Sequence, residues 1–166
     1  MTGARQDYFD RLTLAYEEEI ETEAYFATLA ELFDDPHRQD RLRLLAEIER
    51  HTARIIAPLL RRHGLVPRDD DSLVARGQAQ ARREAPDWDR LLAGMCRTYP
   101  GYVAYFERVA ADGPEADRPR LACLPEHERA ALEFLHRETA GHADSAEPLR
   151  RYLDRPVPTD ARMDGA

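Results

Sequence analysis

Apolar side chains recur every three or four residues along four long stretches of this chain, and no stretch shows the alternation in twos that a half-buried strand requires. The chain is therefore predicted to be all-α. The first stretch, 6–33, aligns Phe9, Leu12, Tyr16, Ile20, Phe26, Ala30 and Phe33. Asp34-Asp35-Pro36 ends it, and Pro36 is suited to the first turn of a second helix over 36–63, with Gly64 as its left-handed stop. A third helix is predicted over 86–111, turning Trp88, Leu92, Met95, Tyr99, Phe106 and Val109 inward. A fourth starts near Pro125 and ends before Pro156, with Leu132, Leu135, His142, Leu149 and Leu153 inward.

The connections limit how these helices pair. The first is too short for anything but an antiparallel hairpin, and the third, 112–124, is a moderate loop. The second, 64–85, is long enough for a crossover, and its part after Ser72 is suited to a short extra helix. The expected architecture is a four-helix bundle of two antiparallel hairpins joined by this crossover. It forms one domain over 1–155, followed by a flexible tail, 156–166. A weak internal repeat supports two similar halves. Tyr25-Phe26 matches Tyr105-Phe106, followed by Ala30 and Ala110 on the same face, Asp10-Arg11-Leu12 matches Asp89-Arg90-Leu91 within one residue of register, and Glu47…His51 is read as matching Glu138…His142.

Charge narrows the partners. A formal net charge of −8 opposes nucleic acid and anionic membranes, which reward a basic surface. All 24 basic residues are arginine, as in chains from GC-rich genomes, which excludes a catalytic lysine or Schiff base. Cys96 and Cys123 stand in no metal-ligand spacing and read as free thiols of a reducing compartment. No apolar run approaches the ~20 residues of a membrane span, and residues 1–6 lack an apolar signal core, so a cytoplasmic protein is expected.

Chemistry is carried by two pairs, Glu47…His51 and Glu138…His142, each a carboxylate four residues before an imidazole. Residues four apart share a helix face, and such oxygen and nitrogen donors suit iron, manganese or zinc. On the first helix Glu19 and Glu23 fall on the apolar stripe, while Glu17, Glu18 and Glu21 are read as solvated, with Glu18 a further candidate. Glu49 lies on the stripe of Leu42, Leu45, Thr52 and Ile56; Glu133 and His136 form a pair less squarely inward. His37, His63 and His127 fall near helix ends and are assigned to the surface. Gly141 is read first as a close contact between helices. The third helix has no inward carboxylate: the repeat sets Tyr99 opposite Glu19, and Pro100-Gly101 predicts a kink there. Tyr99 and Tyr102 are the candidate catalytic side chains, as hydrogen-bond donors or redox-active groups.

With these residues in place, the pattern resembles the ferritin-like superfamily of bacterioferritins, rubrerythrins and carboxylate-bridged di-iron oxygenases, over about 6–153. In that family two helices each give one glutamate and two others each give Glu-x-x-His. The resemblance implies a metal site of Glu19 (or Glu18 or Glu23), Glu47 (or Glu49) with His51, and Glu138 with His142. It also implies iron or manganese and an oxidoreductase activating oxygen or peroxide on a small-molecule substrate. Two departures stand out: the spacing is Glu-x-x-x-His, and the third helix lacks its glutamate. The chain is compatible with a homodimer. The competing expectation is a metal-free helical module for small-molecule or protein binding, its Glu/His pairs satisfied by Arg50, Arg54 and Arg137. A hemerythrin-like oxygen carrier would need more inward histidines.

Overall fold

Three aspartates begin three of the helices, each by accepting a backbone N–H of the first turn. In the computed structural model, which describes residues 2–84 and 86–159, the Asp35 side chain accepts from Arg38 at 2.9 Å, Asp69 from Ser72 at 2.9 Å and Asp87 from Arg90 at 3.0 Å. The described chain is all-helical and contains no strand. Its elements are α1 (Thr2–Leu32), α2 (Pro36–His63), α3 (Asp70–Arg83), α4 (Trp88–Asp112), a 3-10 turn (Glu115–Asp117), α5 (Arg118–Leu121), α6 (Cys123–Thr139) and α7 (Glu147–Leu153). No helix among the described residues is long and apolar enough to cross a membrane. The predicted tail, 156–166, extends over 160–166, which lie outside the described residues.

α1 and α2 pack along much of their length, as the short link 33–35 requires, and α4 packs similarly on α6. Leu12, Phe26, Leu42, Ile48, Ile56 and Phe134 lie wholly within the core they share. Each such side chain contributes about 1.5–3 kcal/mol through burial. The paired aromatics of the sequence repeat recur in space: the Tyr25–Phe26 and Tyr105–Phe106 rings both sit 5.3 Å apart, and Phe26 and Phe106 are both buried. α4 runs through Pro100-Gly101 as a single helix.

The extra helix expected in the long connection is α3, which lies along α1. Gly77 makes this possible: a Cβ there would stand 2.1 Å from the Glu21 carbonyl oxygen and 3.0 Å from the Tyr25 nitrogen. The fourth predicted helix is two. α6 stops after Thr139, where Gly141 takes a left-handed φ of 74° and the His142 N–H returns to the Arg137 carbonyl at 3.0 Å. That pattern closes a helix end, and glycine adopts it without steric cost. Nothing lies within 4 Å of a Cβ built on Gly141, so its reading as a close helix contact is corrected. α7 then packs back on α6 and α2 through Leu149 and Tyr152.

One buried acid ties the far end together. Asp117, 1% exposed, accepts from the Tyr8 hydroxyl at 2.9 Å, from Arg62 at 2.8 Å and from His63 Nε2 at 2.5 Å. Burial raises its pKa, but the bonds from His63, Tyr8 and Arg62 outweigh burial and hold it below the ordinary carboxylate value. A carboxyl depressed in the fold stabilises it at neutral pH and loses that contribution as pH falls through and below 3.8. Asp117→Asn is expected to cost about 1–3 kcal/mol at pH 7 and to flatten the acid limb of stability, read by urea denaturation between pH 3 and 7. Gly77→Ala should cost roughly 1–3 kcal/mol by forcing α3 from α1, read the same way; an unchanged midpoint would show that this contact is not tight.

Candidate metal centre

Core-stripe positions on three helices carry polar groups where an apolar side chain would ordinarily stand. On α1, Glu19 follows Leu12 and Ala15 and precedes Phe26; on α2, Glu49 lies between Leu45 and Thr52; on α6, His127 lies between Cys123 and Ala131. Each is buried: Glu19 is 2% exposed, Glu49 3% and His127 0%. One donor atom from each falls within 4.8 Å of the others, the group of this kind found among the described residues. His127 Nε2 stands 3.3 Å from Glu19 Oε2, 3.4 Å from Glu49 Oε2 and 3.7 Å from Glu128 Oε1.

The ring's other nitrogen fixes what Nε2 can do. Nδ1 lies 3.2 Å from the Cys123 carbonyl, and a carbonyl only accepts, so Nδ1 carries a proton. A neutral ring then aims its lone pair, through Nε2, at the carboxylates. This is the orientation a metal-bound histidine takes when its second nitrogen is held by a carbonyl. His127 Nε2, Glu19 Oε2 and Glu128 Oε2 are all buried without a hydrogen-bond partner. The close oxygens are near enough for ionic attraction but not aligned for a bond. Buried polar atoms left in this way are costly, about 1–3 kcal/mol each.

The spacing fits a metal ion. Two donors bound at about 2.0–2.2 Å to a zinc-sized ion stand roughly 2.8–3.6 Å apart for angles between square and tetrahedral. The two shortest His127–carboxylate distances, 3.3 and 3.4 Å, lie inside that range. Two carboxylates and an imidazole are donors suited to iron, manganese or zinc, and three protein ligands leave coordination positions open.

Without a cation the cluster must hold protons. Burial, then the charge of Glu49, pushes Glu19 well above the carboxylate range. Burial lifts Glu128 to about 8. Burial also raises Glu49, but the charge of His127 prevails and holds it low. Desolvation alone would depress His127, yet the Glu128 and Glu49 carboxylates raise it to about 9. His127 and Glu49 form the ion pair of the metal-free state, while burial favours the protonated forms of Glu19 and Glu128.

A cavity of about 400 Å³ opens onto the cluster. Glu19, Glu49 and Glu128 line it together with Met95, Tyr99 and Phe106, and Arg68 and Arg76 stand at its solvent side. Tyr99 is 6% exposed, and burial raises its phenol well above the usual value. Tyr102, 46% exposed, meets Tyr99 edge-on at 5.8 Å on the rim. Behind the site Thr52 donates to the Ile48 carbonyl at 2.8 Å, so Tyr152 donates to Thr52 at 2.6 Å.

The structure brings Glu19, Tyr99 and Tyr102 to this site and leaves the other expected ligands elsewhere. Glu47 is exposed on the outer face of α2. His51 is half-buried, edge-on to the Tyr152 ring at 5.5 Å. Glu138 accepts from His37 Nε2 at 2.7 Å and from Ser145, and lies 3.5 Å from Arg41 Nε. His142 is exposed beyond the end of α6, so Glu138 and His142 do not share a helix face. Glu23 pairs with Arg50. His127, assigned to the surface, is the fully buried imidazole of the site. α6 begins two residues before the predicted start, after α5, which places His127 in its second turn.

A signal for these residues was present. Tyr25 and Tyr105 are 80 residues apart, as are Glu19 and Tyr99; Asp10 and Asp89 are 79 apart, as are Glu49 and Glu128. Glu47 and Glu138, by contrast, are 91 apart and fall outside the repeat. In comparisons with protein-family models, curated proteins and solved structures, no match to this chain was found.

Proposed function

We propose that the chain is a non-haem metalloprotein of ferritin-like type, with Glu19, Glu49 and His127 as the ligands of one iron or manganese ion. The observation that carries the reading is the convergence of these three buried donors, with His127 Nε2 aimed at both carboxylates and bonded to neither. On this reading α1, α2, α4 and α6 are the four helices of the bundle and α3 is the crossover. The bound metal would supply redox chemistry toward oxygen or peroxide at its open positions.

The protein's own groups have separate tasks. The Cys123 carbonyl orients the His127 ring, and Thr52 with Tyr152 forms a bonded support behind it. Tyr99 occupies the place the repeat gives to a fourth carboxylate and presents a phenol to the cavity instead. Glu128, beside His127 and lining the same cavity, can hold or release a proton there. Phe106 and Met95 narrow the space and exclude water from the inner end.

A second reading rests on the pairing of His127 with Glu49 at 3.4 Å, which balances its own charge and would suit a metal-free binding module. Elemental analysis separates the two. Protein purified without chelator is expected to carry about one equivalent of metal per chain, lost in Glu49→Gln and His127→Ala. Glu47→Ala and His142→Ala should retain it. No metal above background in folded protein under any reconstitution condition favours the second reading.

The linkage gives a pH dependence with a definite sign. His127, at about 9, holds a proton at pH 7 in the metal-free protein. Metal must displace it, so affinity should rise by roughly tenfold per pH unit between pH 6 and 8. Calorimetry in buffers of different ionisation enthalpy should count about one proton or more released per ion; no release would contradict this charge state.

A further inference from the structure

We propose that the cavity over the cluster binds a small organic cation, a primary amine whose ammonium sits between Glu18 and Glu128 and whose carbon skeleton lies against Tyr99, Tyr102 and Phe106. This deepens the metal reading by naming the class of substrate that would stand beside the ion, and for its catalytic meaning it rests on that reading.

Charge within the wall is the first argument. Glu17, Glu18, Glu19, Glu21, Glu49 and Glu128 all line the cavity, against two guanidinium groups, Arg68 and Arg76. Both are already engaged: Arg68 lies 3.6 Å from Glu17, whose carboxylate also accepts the Arg68 backbone N–H, and Arg76 lies 3.3 Å from Glu21. Glu19 and Glu49 belong to the metal centre. Glu18 and Glu128 remain: Glu18 has no ion pair or hydrogen bond among the described residues, and Glu128 has His127 Nε2 at 3.7 Å from its Oε1. Glu128 is 7% exposed, and its Oε2 is buried with no partner. A carboxyl oxygen so placed lacks a donor, and an ammonium group supplies three.

The rest of the wall decides what kind of cation fits. A hard inorganic ion takes a cage of oxygens, whereas this cavity offers a thioether and aromatic rings beside its acids. Met95, Phe106, Tyr99 and Tyr102 give it an apolar side, and aromatic faces attract a cation as well as cover its carbon. An anionic substrate would meet Glu18 and Glu128 with no free guanidinium in the wall to offset them. The volume, about 400 Å³, suits a compact molecule rather than a polymer.

Benzylamine, benzyl alcohol and benzoate are close in shape and differ in charge, so they read the sign of the cavity directly. Isothermal titration of each into the full chain, with metal content measured on the same samples, is expected to show benzylamine binding at least about tenfold tighter than benzyl alcohol, with no heat from benzoate. Glu18→Gln and Glu128→Gln should each weaken benzylamine roughly tenfold and leave benzyl alcohol unchanged, while Glu31→Gln, outside the cavity, changes neither. Glu18 is only half-buried, so its variant keeps the test open if Glu128→Gln fails to fold. Equal binding of amine and alcohol, tighter binding of benzoate, or no binding of any probe overturns the inference. Metal-loaded protein that binds no probe leaves the metal centre standing and removes the amine site. Amine binding by protein that takes up no metal supports the site and removes the metal reading.

Discussion

Two carboxylates and an imidazole drawn out of water into the middle of the helices set the terms for everything around them. Each ion so buried carries a desolvation penalty of several kcal/mol, and their mutual attraction offsets it only with good geometry and satisfied lone pairs. Here the lone pairs are not satisfied: Glu19 Oε2 and His127 Nε2 face one another at 3.3 Å without a bond. An apolar side chain at any of the three positions would pack with less cost. The core is therefore organised around a cluster whose charge has to be neutralised, by protons or, on the proposed reading, by a metal ion. The support behind His127 and the cavity before it follow from that constraint.

The helices themselves could be read from period and punctuation. The second helix runs over the residues predicted, because Asp35-Pro36 starts it and Gly64 stops it by local chemistry alone. The fourth prediction failed at Gly141 for an equally local reason. A glycine followed by a polar stretch can be a helix interior at modest cost or a left-handed stop, and the apolar rows on either side hid the stop. That error produced the second Glu/His pair, since His142 lies on a helix only if Gly141 is passed through. α3 was legible as a helix but not in its placement, which depends on the missing Cβ of Gly77 against the backbone of α1.

The site was legible in its elements rather than in its members. Glu19 is legible because it sits on a clear stripe; Glu49 also sits on one, but the spacing to His51 points to Glu47 instead. Spacing of that kind recurs by chance in a chain rich in acids, whereas position on the buried face does not. His127 was lost through a helix start set two residues late, which moved it from the second turn to a frayed end. The repeat was the stronger guide. Its offset of 79 or 80 residues pairs Glu19 with Tyr99 and Glu49 with Glu128, and all four line one cavity. This places a phenol where symmetry would put a carboxylate, so the two halves are alike in frame and unlike in chemistry.

Acid in excess of base continues from the cluster to the cavity mouth, where Glu17 and Glu21 hold the arginines that stand there. On the proposed reading one field would serve both a metal ion at Glu19, Glu49 and His127 and a cationic guest at Glu18 and Glu128. The most direct test is an anomalous-difference map from crystals of the full chain grown with iron or manganese. The account predicts one strong peak at bonding distance from Glu19, Glu49 and His127 Nε2, at the inner end of the cavity. A map with no peak there, or with its peak at Glu47 and His51 or at Glu138 and His142, would contradict it.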